Sequence, residues 1–548
     1  MKKTQLFSVF IITFSTLFSQ SADSLYNKFM STFSSSENHI HYIGEKCGFG
    51  LINNIKLNYD NFSSEQQAVL NKLLVRTEMD TSIVSPSGIF RIHFDLTGSN
   101  KPSYQFNGSI PQDKDTVFIM ADSIAAACDF SYDYEINVLG YPEPPSDNGN
   151  GGDDRIDVYI KNLSSGTYGQ TSFEDDLGDN KYTSYIEIDN DFIGNYYTTG
   201  LDAAKVTIAH ELHHVIQLGC YGYWPSDVWY YEVTSTAMEE FVYDDINDYY
   251  GLVDNYMDRT HKSINSNSGY NLTILNLFFA QKYDMDFLKR VWEFIEQVSP
   301  LKAISNTLLE YGTSFNEAFN EFGVWTFFTG SRTQPAKYFE EAVYYPLIET
   351  DFGMDFTSPS ATYSVNSEPV SNNFIVFPIS ETDTIVALVT NSDITSAISS
   401  SSSTITFDYT LGDTPFNGST KLVDGYYKKL ECESSGLLSD RGFYNNQLIE
   451  DSCVVDEIKD FAFPNPFNYS NHAQIYIPAE STEENFAYLN IYTVSMDLVY
   501  SGQLNTISNY VCWNGLDNNN KKLPTGIYIY ASKSGDSVKK GKIVIYNE

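Results

Sequence analysis

The chain has 548 residues, with 33 lysines and arginines against 71 aspartates and glutamates, a formal charge of −38 at neutral pH. So acidic a surface repels nucleic acid and anionic membranes, which excludes both as partners. Aromatics at 15% and the absence of long charged blocks exclude a disordered chain, and the length implies several folded domains.

The start carries Lys2 and Lys3, an apolar run from about Leu6 to Phe18, and then small and polar residues. That is the layout of a secretory signal peptide over residues 1–20, so the protein is expected outside the cell or on its surface. The cut site is left open, because "LFSQSAD" lacks a clean A-x-A. No later stretch is long and apolar enough to span a membrane. Six cysteines without CxxC spacing make no disulfide scaffold; Cys432 and Cys453, flanking a polar stretch, are the first pair to consider.

Residues 21–85 form an N-terminal segment, a candidate pro-region, with a helix expected at "SSEQQAVLNKLLVRTE". "GIFRIHFDL", "DTVFIMADS", "DRIDVYIKNL" and "TSYIEIDND" read as strands. Asp202 is the expected N-cap of a helix through "AAKVTIAHELHHVIQL", with Gly219 just past its end. Further helices are expected from about Trp229 through "YYEVTSTAMEEFVYDDINDYY", then over "NLTILNLFFAQKYDMDFLKRVWEFIEQV" and "SFNEAFNEFGVWTFFTG". Residues 86–350 therefore read as an α+β domain. Short alternating strands follow over 351–431, then a linker at 432–458 and a run of strands over 459–548.

Three of the eight histidines fall in "TIAHELHHVIQ". His210 and His214 stand at i and i+4 on one helix face, where both imidazoles can reach one zinc ion. Glu211 is turned by about 100°, which suits it to take a proton from water beside the ion. Catalytic zinc takes three protein ligands and keeps one position open. The third is sought on the following helix, where Glu232 can come over the histidine face. Glu239 and Glu240 lie near that face too, either to orient a ligand histidine or to replace Glu232. His213 points away from the ion and reads as a packed or surface residue. His261, Tyr230, Tyr231 and Tyr243 are candidates for an oxyanion donor.

At "HELHHVIQ" and "WYYEVTSTAMEEFVYDDINDYY" the chain resembles secreted bacterial metalloproteases of the gluzincin type. The likeness runs over roughly residues 40–350. It implies a zincin-like fold and a zinc peptidase acting on protein or peptide substrates, with metal ligands His210, His214 and Glu232 and catalytic Glu211. It also favours Glu232 over Glu239 as the third ligand. The C-terminal stretch "WNGLDNNNKKLPTGIYIY" resembles the Ig-like domain of flagellar hook-capping proteins and the sorting domains of type IX secretion, with Asn520 where glycine is usual. That likeness implies a β-sandwich with Trp513 and Tyr528 in its core and the secretion machinery as a partner.

Two weaker features remain. In "KCGFG", Cys47 can hold the fourth position on zinc in a latent precursor, or serve as a structural cysteine. The Gly-rich loop with Asp147, Asp153, Asp154 and Asp157 is a candidate calcium site or a solvated acidic turn. Against the peptidase stands a second reading, an exported surface or adhesion protein with an inactive peptidase-like domain and binding β modules.

Overall fold

The computed structural model describes residues 22–31, 46–103, 115–350 (bar 164–165, 195 and 335), 352–353, 360–378, 384–398, 403–410 and 461–547 (bar 464, 470–473, 481–485, 508–509 and 536). The expected signal peptide, the linker, and Cys432 and Cys453 lie outside them. Two compact units emerge, whose described residues run to 410 and from 461.

The first unit is built on a mixed five-stranded sheet. Its strands are β1 (Thr81–Val84), β2 (Phe90–Phe94), β3 (Ile156–Lys161), β4 (Gly169–Gly178) and β5 (Lys181–Asp189), in the order β1-β2-β3-β5-β4. β2, β3 and β5 are mutually parallel. β4 turns back antiparallel to β5 and forms one edge. Apolar residues on alternate positions of β2 and along β3 and β5 are buried against helices, as the sequence pattern requires.

Four helices precede the metal-binding candidate: α1 (22–31), α2 (Phe49–Leu57), α3 (Ser64–Leu73) and α4 (Asp115–Tyr132). α3 begins in a capping box between Ser63 and Gln66. α4 corrects the strand expected at "DTVFIMADS". Val117, Met120, Ala121, Ile124, Ala125 and Cys128 are all buried at helical spacing. The nine-residue window was too short to display that period.

α5 (Gly200–Ile216) and α6 (Val228–Val242) pack together beside the sheet. Two details differ from expectation. Thr199 precedes the first turn of α5 and Asp202 lies inside it, paired with Lys205 at 2.8 Å. Gly219 lies within a wide turn, Gln217–Tyr221, that prolongs α5, and Gly222 supplies the positive φ (86°) that ends it. The helix expected through Tyr250 stops at Val242 and resumes as α7 (Tyr250–Met257). α8 (Thr273–Lys282), α9 (Met285–Ile295), α10 (Pro300–Glu310) and α11 (Phe315–Phe327) complete the helical side.

Residues 351–431 were expected as a separate β-rich domain; their described residues, up to 410, group with the first unit. β6 (Phe352–Gly353), β8 (Ser371–Pro378) and β9 (Thr384–Asn391) form one sheet, and β7 (Ser360–Ser367) pairs with β10 (Ser403–Thr410). Val370 and Phe374 are buried in the same apolar core as the helices. Asn372 N donates to Thr260 O at 2.8 Å.

The second unit holds β11 (Phe467–Asn468), β12 (Ile475–Pro478), β13 (Phe486–Thr493), β14 (Leu498–Ile507), β15 (Tyr510–Trp513), β16 (Gly526–Ser534) and β17 (Ser537–Tyr546). β14 pairs with β13 along most of its length and with β15 at its far end. The strands enclose an apolar cluster that includes Trp513 and Tyr528. Asn520 has φ 58°, a left-handed turn conformation that asparagine tolerates in place of glycine.

Candidate metal centre

His210 and His214 project from α5 with ring centroids 4.9 Å apart. Glu232, one turn into α6, meets both: its Oε2 lies 3.1 Å from His210 Nε2 and 3.4 Å from His214 Nε2. His214 Nε2 is buried and has no hydrogen-bond partner. Among the described residues, Cys47, His210, His214 and Glu232 offer ligand atoms all within 4.8 Å of one another, and all four side chains are buried. Tetrahedral zinc with bonds of about 2.0–2.3 Å needs ligand atoms roughly 3.3–3.8 Å apart, close to the 3.1 and 3.4 Å at which Glu232 Oε2 meets the two imidazoles. Two imidazoles, a carboxylate and a thiol suit that ion, and the orphaned His214 nitrogen faces the place it would take.

The outer nitrogens of both rings are fixed. His210 Nδ1 donates to Glu239 Oε1 at 2.8 Å, and His214 Nδ1 to Gln217 Oε1 at 2.6 Å. Each ring therefore turns its Nε2 inward. Gln217 in turn donates to Tyr231 O at 3.2 Å. Burial opposes charge on His210, but hydrogen bonds to the Glu232 and Glu239 carboxylates outweigh it and push this imidazole up to about 9. Burial likewise opposes charge on Glu232, yet His214 and His210 hold its carboxyl down at about 2.

Glu211 lies beside this group. Thr171 Oγ1, from the start of β4, donates to its Oε2 at 2.7 Å. Burial pushes its carboxyl above the ordinary range, against the pull of His210 and His214. Gly169 leaves it room: a Cβ there would stand 2.9 Å from Glu211 Oε1.

Of the two orienting acids considered, Glu239 does the work. Glu240 turns towards Glu341 and Asp244; burial and those two acids push it up to about 9. His213 is fully buried and pairs with Glu135 at 2.8 Å, away from the centre. The hydroxyls of Tyr230, Tyr231 and Tyr243 bond to Asn276, Gly222 and Ala127. His261 lies in the turns after α7, without a place in the group. The tyrosine that does reach the centre is Tyr270, whose ring stacks over His210 with centroids 6.1 Å apart. Its hydroxyl donates to Cys47 O at 3.1 Å.

The N-terminal segment also reaches this group. Phe49 lies flat on His214, ring centroids 3.8 Å apart. Lys46 is buried between Glu239 and Asp248. Burial alone would lower that ammonium, but Asp248 and Glu239 hold it well above the usual lysine range. Its neighbour Cys47 is a buried free thiol, pushed up by burial and by Glu211 and Glu232.

The acidic loop, a candidate calcium site or solvated turn on sequence, has carboxylates paired with arginines. Arg76 binds Asp147 at 2.7 Å and also Asp157, while Arg91 and Arg155 both bind Asp153. Guanidinium groups thus hold three of the loop's carboxylates.

Residues 105–323 match a protein family described as a family of unknown function (DUF6055). That stretch contains His210, Glu211, His214, Glu232 and Glu239 but not Cys47. No curated protein matches the chain. Among solved structures it is similar to PorZ, an essential bacterial surface component of the type-IX secretion system of Porphyromonas gingivalis. The identity is 18%, over 16% of this chain and 11% of that one, with a TM-score of 0.13. No described helix is long and apolar enough to cross a membrane.

Proposed function

We propose that the chain is an exported zinc endopeptidase of the gluzincin type, with a zincin-like catalytic part and a C-terminal Ig-like module serving secretion. What carries the reading is the convergence of His210 Nε2, His214 Nε2 and Glu232 Oε2 beside a buried Glu211. His210, His214 and Glu232 would hold the ion. When bound, zinc supplies Lewis acidity and makes water acidic near neutral pH, at about 7.

The chain's own groups do the rest. Glu211, held by Thr171, takes the proton from the attacking water and returns it to the leaving amine. A carboxyl raised by burial is suited to both transfers. Glu239 and Gln217 lock the two imidazoles so that neither ring turns during the reaction. Tyr270 stacks on His210 and donates its hydroxyl to Cys47 O, so once that carbonyl is withdrawn it is the tyrosine best placed to donate to a substrate oxyanion.

Metal analysis and cleavage-site profiling on wild type and Glu211→Gln test this. Wild type should bind about one zinc and cut peptides at a low basal rate that rises once the N-terminal segment is withdrawn, and Glu211→Gln should keep the zinc and lose turnover by at least about a thousandfold in either form. Full activity in Glu211→Gln would remove that residue from its role. Zinc without any cleavage, together with retained surface binding, would favour the adhesion reading.

A further inference from the structure

We propose that Cys47 is the fourth metal ligand and that residues 46–56 form a built-in strap which keeps the centre closed until it is withdrawn. The proposal rests on the zinc reading above and names how that centre is regulated.

The thiol is one of four ligand atoms within 4.8 Å of one another, together with an unpartnered, buried His214 Nε2. With Cys47 counted, the set becomes two nitrogens, one oxygen and one sulfur. Four protein ligands are the mark of a closed zinc site; three leave a position for water. A closed site has no room for the hydrolytic water, so this arrangement is latent.

The thiol is held there from every side. Lys46, just before it, is buried between Glu239 and Asp248, and so is tied to the carboxylate that orients His210. Gly48 N donates to Gly169 O at 3.0 Å, and Tyr168 N donates to Lys46 O at 2.8 Å. Cys47 is thereby paired in parallel with Gly169 at the head of β4. A Cβ on Gly48 would stand 2.5 Å from Gln170 Oε1 and 3.0 Å from Gln170 Cβ, so a side chain there would force Gln170 to move. Phe49 covers the face of His214, and Tyr270 binds the Cys47 carbonyl.

α2 continues the cover. β4 is an edge strand, and its outward backbone groups are available to another chain. Asn53 takes them over as a strand would: its Nδ2 donates to Thr171 O and its Oδ1 accepts from Phe173 N, both at 2.9 Å. Lys56 Nζ donates to Phe173 O at 2.7 Å. An extended peptide adding to this edge would need those same groups. One segment therefore occupies both the ion's open position and the neighbouring strand edge.

The test uses full-length protein loaded with cobalt(II) and, separately, with zinc, comparing wild type, Cys47→Ser and Cys47→Ala. Cobalt-loaded wild type should show thiolate-to-cobalt charge-transfer absorption in the near ultraviolet, and both variants should lose it. The variants should still bind one metal and should cut a peptide library at least about tenfold faster than wild type. A second measurement, alkylation of Cys47, should be slowed by zinc in wild type. Metal bound without the absorption, with equal activity in all three proteins, would overturn the strap and leave the hydrolase reading standing. The absorption without hydrolysis in any protein would support Cys47 as a ligand and sink the hydrolase reading. Failure to bind metal would overturn both.

Discussion

Glu239 Oε1 lies 2.8 Å from His210 Nδ1, and the other oxygen of the same carboxylate closes on Lys46. One side chain on α6 thus links His210 to the N-terminal segment. Replacing it by glutamine keeps the shape and removes the charge. Glu239→Gln should weaken zinc binding by about 10–100-fold, as loss of a carboxylate behind a ligand histidine does. Competition against a chromophoric chelator measures this; unchanged affinity would mean that the carboxylate plays no part in holding the ring.

Gly269 supports α6 from outside. Its φ is 104°, and a Cβ there would stand 2.2 Å from Trp229 O and 2.6 Å from Glu232 Cβ. Gly312 also has positive φ, at 78°, but nothing within 4 Å. Gly312→Ala should therefore cost only the left-handed strain, about 1–2 kcal/mol. Gly269→Ala should cost about 1–3 kcal/mol more, because α6 must shift. Urea unfolding of the two variants gives the comparison, and zinc content should fall only in Gly269→Ala.

Glu240 makes stability depend on pH. Its folded carboxyl is raised to about 9, whereas an unfolded glutamate titrates near 4.3. The folded state binds the extra proton, so this contribution is complete below about pH 4.3 and is lost as pH rises through 9. Glu240→Gln removes the dependence. Its melting temperature should exceed that of wild type increasingly from pH 5 to pH 9; curves that stay parallel across that range would contradict the raised carboxyl.

Zinc should stabilise the folded chain in proportion to its binding. At a free concentration a thousandfold above Kd the gain is about 4 kcal/mol. Chelation should lower the melting temperature, zinc should restore it, and Glu232→Ala should show no zinc-dependent gain. A melting curve indifferent to zinc in wild type would count against the metal centre.

Much of this was legible in the sequence because it was local. The alternation in "DRIDVYIKNL" and "TSYIEIDND" is where β3 and β5 lie, and the i, i+4 histidines share one face of α5. What escaped depended on distant partners. Nothing near Lys46 announces that its partners are Glu239 and Asp248. Glu239 and Glu240 were indistinguishable until the rotation of α6 decided which faced His210. Gln217 stood inside the quoted motif, three residues after His214, and its spacing could have revealed its role. For residues 351–431, strand-like composition says nothing about which core Val370 and Phe374 will join.

The cover that Asn53 and Lys56 give β4 has a consequence for handling the protein. Peeled back, they would leave a bare sheet rim that recruits strands from whatever polypeptide is nearest, sister molecules included. Crowding at that moment then favours clumping, so dilute surroundings suit any release of this cover better than concentrated stocks.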